Sequence, residues 1–284
     1  MTESPYFLAR ETARLFAMLH GATAPVSRTG FVLSHPFAEE KLWSHRVFVS
    51  LARALAARGH PVLRFDYTGA GDSSGGSGET SLETHVADLS AAVESLAERT
   101  PGLERIGIIG LRLGATIGAL VAERAAAGTG PTIIQGAPLV LWDPVLDGAS
   151  YLQEVLRANL SAQLATHGRV IETREAMSLR ILGGGVVNVD GYEIGAPLFA
   201  SLGSPGPLTP EPKQHAGPVL VVPISPPGKP PKPQPALEAL ASAYTRGATR
   251  AVEEHQFWRE IKQFYGRAEQ LQTATLEWLG ALDA

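Results

Sequence analysis

The sequence predicts an α/β fold: a mostly parallel, twisted sheet with helices on both faces. Two observations carry the prediction. Short apolar runs alternate with helical segments through the chain, the pattern of successive strand–helix units. The apolar run at 105–109 passes through Gly110-Leu111-Arg112-Leu113-Gly114 straight into a small-residue helix at 115–127. With 284 residues, 44% of them hydrophobic, the chain suffices for one large domain of this kind or two small ones.

The elements follow in order. Residues 13–20 and 30–34 are apolar runs separated by a turn with Gly, Pro and Ser, and read as strands. Residues 42–58 place Val47, Leu51 and Leu55 at helical spacing, and Gly59 stops that helix. A strand at 61–67 leads into a Gly/Ser loop at 69–78, and a helix at 81–100 starts on Ser81 and Glu83. The run 132–142 is interrupted at Gly136 and Pro138, which leaves 138–142 as the strand. Residues 151–180 read as one amphipathic helix, 183–191 as a short β-rich piece, and 205–212 as a Pro-rich connection. A buried strand at 218–224 precedes a low-complexity loop at 225–235. A helix at 235–244, a strand at 248–254 and a last helix at 257–281 complete the chain, which has no internal repeat.

Composition narrows the function. A net charge of −4 gives no electrostatic case for nucleic acid. The absence of Cys excludes disulfides, thiolate catalysis and zinc–thiolate sites. No apolar run approaches the ~20 residues that span a bilayer, and Met1-Thr2-Glu3-Ser4-Pro5 lacks the basic start and apolar stretch of a signal peptide. The expectation is a cytoplasmic protein.

Gly110 and Gly114 stand where the two glycines of a nucleophile elbow, Gly-x-Ser-x-Gly, belong. The position of the nucleophile is Arg112. A guanidinium does not deprotonate at working pH and cannot attack a carbonyl. It binds carboxylates and phosphates through paired hydrogen bonds. Its charge also opposes the positive end of the helix that starts beside it. Something negative is therefore expected within ~4 Å. Two readings stay open: a substrate anion, or an internal salt bridge to Asp143 or Glu39 that plugs the pocket. Glu39, Glu40 and Arg46 have two readings, the mouth of the pocket or a solvated face, and the solvated face is favoured. Gly69-Ala70-Gly71-Asp72 has neither P-loop nor dinucleotide-binding spacing, so Asp66 and Asp72 read as structural.

Ser34-His35-Pro36-Phe37-Ala38-Glu39-Glu40, then 62–75, then the elbow, resemble the core of the α/β-hydrolase superfamily. More narrowly, Gly110-Leu111-Arg112-Leu113-Gly114-Ala115, Leu141-Trp142-Asp143-Pro144-Val145 and Val189-Asp190-Gly191-Tyr192-Glu193 are similar to the exosortase-associated hydrolases of the second ortholog group, with Arg in the place of the nucleophile Ser. The resemblance implies a core of 1–147 and 218–284 with 148–217 as an inserted cap. It implies a base just after the last strand, where His255 stands; the alternative is a surface His beside Glu253 and Glu254. No carboxylate follows the strand at 218–224 until Glu238. The orienting acid then falls to Asp143, which otherwise only caps the turn after its strand. The oxyanion hole would use the N–H of Leu113 and, since Pro36 has none, that of Phe37. His35 is the structural His of that loop.

The functional expectation is an enzyme of this fold without covalent catalysis. His255 and Asp143 would do general acid/base work in a hydrolysis, elimination or cyclisation, with Arg112 holding an anionic or acyl-type small molecule. No cofactor or metal enters, and a homodimer is compatible. The competing expectation is a silent binding or scaffold protein. A serine nucleophile from elsewhere, Ser34 or Ser225, is the weakest, because neither lies on an elbow.

Overall fold

The computed structural model describes residues 2–23, 25–203, 208, 211–228, 234–259 and 267–282. Its elements are β1 (Glu3–Arg10), β2 (Ala13–His20), β3 (Thr29–Ser34), α1 (Glu39–Ala57), β4 (Val62–Phe65), α2 (Leu82–Arg99), β5 (Arg105–Leu111), α3 (Leu113–Ala126), β6 (Leu139–Trp142), α4 (Gly148–His167), α5 (Arg174–Leu182), β7 (Val187–Val189), β8 (Tyr192–Ile194), α6 (Ala196–Gly203), β9 (Val219–Val222), β10 (Ile224–Ser225), α7 (Pro235–Ala243), β11 (Gly247–Thr249), β12 (Val252–Glu253) and α8 (Glu269–Gly280). Eight strands form one sheet in the order β1-β2-β4-β3-β5-β6-β9-β11. Only β2 runs against its neighbours; the pairings from β4 to β11 are all parallel.

The central strands read as unbroken apolar runs because both faces of the sheet are covered. Leu139 and Leu141 of β6 and Val219 and Val221 of β9 face α2, α3 and α7. Val140, Trp142, Leu220 and Val222 face α1 and α8. Side chains alternate at a period of two, so successive residues enter opposite cores. The indole N–H of Trp142 donates to Thr275 Oγ1 at 3.0 Å, tying β6 to α8.

Several boundaries depart from expectation. β1 is an edge strand, mostly exposed, with Leu8 its one buried side chain, so its sequence carries no apolar alternation. The expected single helix at 151–180 is two: Gly168 adopts the left-handed conformation and ends α4, and the Thr173 side chain caps α5. The expected strand at 248–254 is split into β11 and β12, the second pairing with β10 rather than with the main sheet. Residues 257–259 form a turn, not the start of a helix. Most of the Pro-rich connection at 205–212, much of the loop at 225–235 and residues 260–266 lie outside the described residues.

Between β6 and β9 the chain builds α4, α5, the β7–β8 hairpin and α6 around a small apolar cluster of their own. Leu156, Met177, Ile181, Val187, Val189 and Ile194 form it, and Phe37 of the core packs against it. Ser201 Oγ accepts from the Leu82 N–H at 2.9 Å and Ser77 Oγ from the Glu193 N–H at 2.9 Å, fastening this segment to the core.

Candidate active site

β5 delivers the elbow and α3 leaves it. Arg112, at φ 53° and ψ −122°, is the residue between them. Such a conformation in a non-glycine residue costs on the order of 1–3 kcal/mol and persists only where the surroundings impose it. The two glycines make the turn possible. A Cβ at 110 would lie 2.5 Å from Ala115 Cα, and one at 114 would lie 2.3 Å from the Ser34 carbonyl oxygen. The Arg112 N–H donates to the Trp142 carbonyl at 2.9 Å, so the β5–β6 ladder runs to the tip of the elbow.

The guanidinium is surrounded by acids. Nε lies 3.3 Å from Glu40 Oε1, Nη1 3.4 Å from Asp143 Oδ2, and Nη2 2.9 Å from Glu154 Oε2. The Tyr151 hydroxyl donates to Glu40 Oε2 at 3.0 Å. Arg259 pairs with the other oxygen of Glu154. The rings of Tyr151 and Trp258 lie 5.5 and 5.7 Å from Arg112 Cζ, within cation–π range. Burial works against the charge on Arg112, and Glu40 and Asp143 outweigh it. Burial also pushes the Glu40 and Asp143 carboxyls above the usual carboxylate range, and Arg112 offsets only part of that. Of the partners expected for Arg112, Asp143 is present. The other is Glu40 rather than Glu39: adjacent residues of a helix point about 100° apart, and at the start of α1 Glu40 is the one turned toward the elbow.

A cavity of about 620 Å³ opens beside this cluster, walled by Trp43, Tyr151, Glu154 and Trp258 with Glu40 and Phe37. Neither Arg112 nor Asp143 lines it. They sit behind Glu40, Tyr151 and Glu154.

Asp143 follows β6 at φ 44°, its N–H donating to the Val222 carbonyl at 2.9 Å. Its carboxylate meets Arg112, and among the described residues no hydrogen bond or ion pair joins it to His255. His255 is exposed after β12, its carbonyl accepts from the Phe257 N–H at 2.7 Å, and it does not line the cavity. Phe257 and Trp258 take the buried positions of that turn, which leaves His255 at the surface. The structure therefore brings Arg112 and Asp143 together, and among the described residues His255 stands exposed after β12. Glu40, Glu154 and Tyr151 surround Arg112 or line the cavity; in the sequence Glu40 reads as pocket mouth or solvated face, with the solvated face favoured, and Glu154 and Tyr151 are not singled out.

The remaining candidates lie on the other side of the elbow. Ser34 Oγ donates to the Gly114 carbonyl at 2.6 Å and meets the Tyr67 hydroxyl at 2.6 Å, so it clamps the elbow to β3. His35 Nδ1 donates to the Pro36 carbonyl at 2.8 Å, its ring edge-on to Tyr67, and burial drives its pKa well below the ordinary value. Leu113 and Phe37 both border a small second cavity with His35, Tyr67 and His85. Among the described residues no acceptor takes either backbone N–H. Asp66 accepts from the Asp72 N–H at 3.1 Å and pairs with Lys41 at 2.5 Å, holding the Gly/Ser loop. No group of three or more His, Asp or Glu side chains among the described residues could hold a metal ion. No helix among them is long and apolar enough to cross a membrane.

An eight-stranded sheet with β2 alone reversed, and a sharp strand–turn–helix after β5, define the α/β-hydrolase fold. Residues 25–179, more than half of the chain, match the serine aminopeptidase S33 family, and the chain belongs to it. No curated protein matches the sequence. Solved structures with the same fold include the esterase Est1E of Butyrivibrio proteoclasticus with ferulic acid bound, at 17% identity and TM-score 0.68 over 96% of this chain and 97% of that one. A proline iminopeptidase of Mycobacterium smegmatis aligns at 14% identity and TM-score 0.61 over 98% of each chain. An enol-lactonase of Burkholderia xenovorans aligns at 16% and 0.60 over 97% of this chain and all (100%) of that one.

Proposed function

We propose that the protein is a hydrolase-fold enzyme in which arginine has replaced the nucleophile and a carboxylate does the proton transfer. The observation that carries this is Glu40. It borders the 620 Å³ cavity, takes hydrogen bonds from Arg112 and Tyr151, and is held by burial above the usual carboxylate range. A carboxyl group tuned upward works as acid and base near neutral pH. In a hydrolysis, Glu40 takes a proton from water as the water oxygen bonds to the acyl carbon. The N–H of Phe37, which borders the same cavity as Glu40, holds the carbonyl oxygen as it becomes negative. Collapse then breaks the bond to the leaving group, which recovers the proton from Glu40. Elimination or cyclisation needs the same group and no nucleophile. Asp143 and Arg112 position Glu40 in this scheme. An anionic substrate would reach Arg112 only by displacing Glu154, so a neutral acyl-type substrate fits better. Residues 148–217 act as the cap: α4 supplies Tyr151 and Glu154 to one wall of the cavity. The motif-level likeness to the exosortase-associated hydrolases supports a branch of the family with Arg at the elbow.

The saturation of Arg112 by acids and the surface position of His255 favour a second reading, a binding protein without turnover. A panel of p-nitrophenyl acyl esters and lactones separates the two. The enzyme reading expects turnover that falls about 10²-fold in Glu40→Gln with the fold intact by circular dichroism, and no labelling of any serine by a fluorophosphonate. Turnover unchanged in Glu40→Gln, or a stoichiometrically labelled serine, overturns it. No turnover on the whole panel leaves the binding protein.

A further inference from the structure

We propose that residues 164–186 dock the protein on an anionic lipid surface. Of the ten large hydrophobic side chains exposed among the described residues, six lie in this stretch: Leu164, Val170, Ile171, Leu179, Leu182 and Val186. A concentration of this kind marks a contact surface. α5 shows the imbalance most plainly. Its Met177 and Ile181 are buried in the apolar cluster of the segment between β6 and β9. Leu179 and Leu182 point about 150° away from them round the helix and are 71% and 63% exposed. A helix apolar on two opposite faces needs a cover on both, and the chain supplies one. The turn before α5 belongs to the same surface. Arg180 pairs with Glu172 at 2.8 Å, which ties the turn to the helix, and Ile171 and Leu179 are the exposed neighbours of that pair.

Hydrogen bonding and charge select lipid as the partner. Gln163 Oε1 accepts from the N–H groups of Ile171 and Glu172 at 2.6 and 2.9 Å, and Gln163 Nε2 donates to the Glu172 carbonyl at 3.1 Å. Water would serve these backbone groups in a solvated turn; a turn that enters the acyl boundary must carry their partners with it. The stretch holds Arg169, Arg174 and Arg180 against Glu172 and Glu175, in a chain of net charge −4. Glu172 is taken up by Arg180, and among the described residues no ion pair takes up Arg169 or Arg174. Arginines among exposed aliphatic side chains suit a membrane interface, and each is attracted to anionic headgroups. Glu175, one turn before Leu179 on the exposed face of α5, opposes that attraction. A second copy of the chain would set this patch against itself, as two-fold contacts do, and its net positive charge would be repelled. The patch also adjoins the cavity: α4 contributes Tyr151, Glu154, Ala158 and Ser161 to the cavity wall, and Leu164 lies one turn beyond Ser161 on the same side of the helix. Resting on the acid–base reading, this makes the acyl-type substrate an amphiphile held in the bilayer; the docking itself does not depend on that reading.

The test sediments the full chain with vesicles of phosphatidylcholine alone and of equimolar phosphatidylcholine and phosphatidylglycerol. The expected result is binding to the mixed vesicles, several-fold tighter than to phosphatidylcholine alone and weakened by salt. Leu179→Ser with Leu182→Ser, both at exposed positions that spare the fold, weakens binding about tenfold or more, through loss of two aliphatic side chains from lipid contact. Arg169→Gln with Arg174→Gln weakens binding to the mixed vesicles by about tenfold and leaves phosphatidylcholine alone unchanged. Glu175→Gln strengthens binding to the mixed vesicles. Sedimentation with neither vesicle, or the Leu179→Ser, Leu182→Ser protein binding as the wild type does, overturns the proposal. So does a wild-type dimer, seen by analytical ultracentrifugation without vesicles and lost in that double variant, because the patch then covers a second copy. Water-soluble esters need no vesicle for turnover. Vesicle binding without ester turnover removes the acid–base reading and keeps the docking; ester turnover without vesicle binding does the reverse.

Discussion

The two sides of the elbow solve burial in opposite ways. Toward β6 and α4, Arg112 keeps its charge by gathering Glu40, Asp143 and Glu154. Toward β4 and α2, Ser34, His35, Tyr67 and His85 are buried as neutral groups: desolvation lowers the His85 pKa to about 4 and holds the Tyr67 hydroxyl protonated. The neutral side belongs to the scaffold, since Ser34 ties the elbow to β3. The charged side belongs to Arg112, the residue at the tip of the elbow. The elbow backbone is thus independent of the side chain it presents, provided that side chain finds partners. Fold and chemistry are separable here.

The strongest way to break this comparison is to remove the cation. Arg112→Met leaves Glu40 and Asp143 buried without their counter-charge. Breaking a buried pair costs about 3–5 kcal/mol, and urea unfolding at pH 8 should show a loss of that order. The loss should shrink on acidification, because carboxyls with raised folded pKa values favour the protonated form and lose stability as pH rises above the ordinary carboxylate range. Adding Glu40→Gln and Asp143→Asn to Arg112→Met should restore most of the stability. An Arg112→Met protein as stable as the wild type at pH 8 would show that the acids do not depend on Arg112.

The neutral side predicts the opposite sign. A histidine whose folded pKa is depressed to about 4 contributes stability that is complete above its unfolded pKa near 6.5 and is lost as pH falls toward 4. His85→Phe should therefore flatten the acid limb of stability by up to about 3 kcal/mol, at 1.36 kcal/mol per pKa unit. His20, also lowered to about 4, adds a slope of the same sign that the difference between the two proteins cancels. Identical acid limbs in wild type and variant would place His85 in contact with water.

What the sequence made legible follows the same division. The elbow was readable because sterics allow only glycine at 110 and 114, and the structural roles of His35 and Asp66 are local to short motifs. Asp143 was readable because it ends a strand beside the elbow. Glu40 and Glu154 are 72 and 42 residues from Arg112 in the chain, and nothing local marks them as its partners. His255 shows the converse: its place after β12 matches the family pattern, but the turn that buries Phe257 and Trp258 decides where it points. Gly168 ended a helix that periodicity alone carried through.

Gly114→Ala tests the scaffold without touching charge. Its Cβ would come within 2.3 Å of the Ser34 carbonyl oxygen and 2.4 Å of that of His35, both backbone atoms that cannot swing aside. Overpacking of this kind costs about 1–3 kcal/mol. Thermal unfolding should show the loss at pH 5 and pH 8 alike, since no titrating group is involved. A loss that varied with pH as strongly as that of Arg112→Met would mean that the two sides of the elbow are not separable.

The smallest expected effect is the most specific. The Tyr151 hydroxyl donates to Glu40 and lowers its pKa, partly opposing burial. Tyr151→Phe removes that donor and leaves the ring that faces Arg112. Stability should fall by only about 1 kcal/mol, the net contribution of one hydrogen bond. The Glu40 carboxyl, followed by carbon-13 NMR, should titrate at higher pH than in the wild type, because its ionised form has lost a donor. The acid limb of any Glu40-dependent turnover should move up by the same amount. Packing of the Tyr151 ring alone would change stability and leave the titration in place. A Glu40 titration that stays put in Tyr151→Phe therefore removes Tyr151 from the tuning of the site, and Arg112 is left to oppose the effect of burial without it.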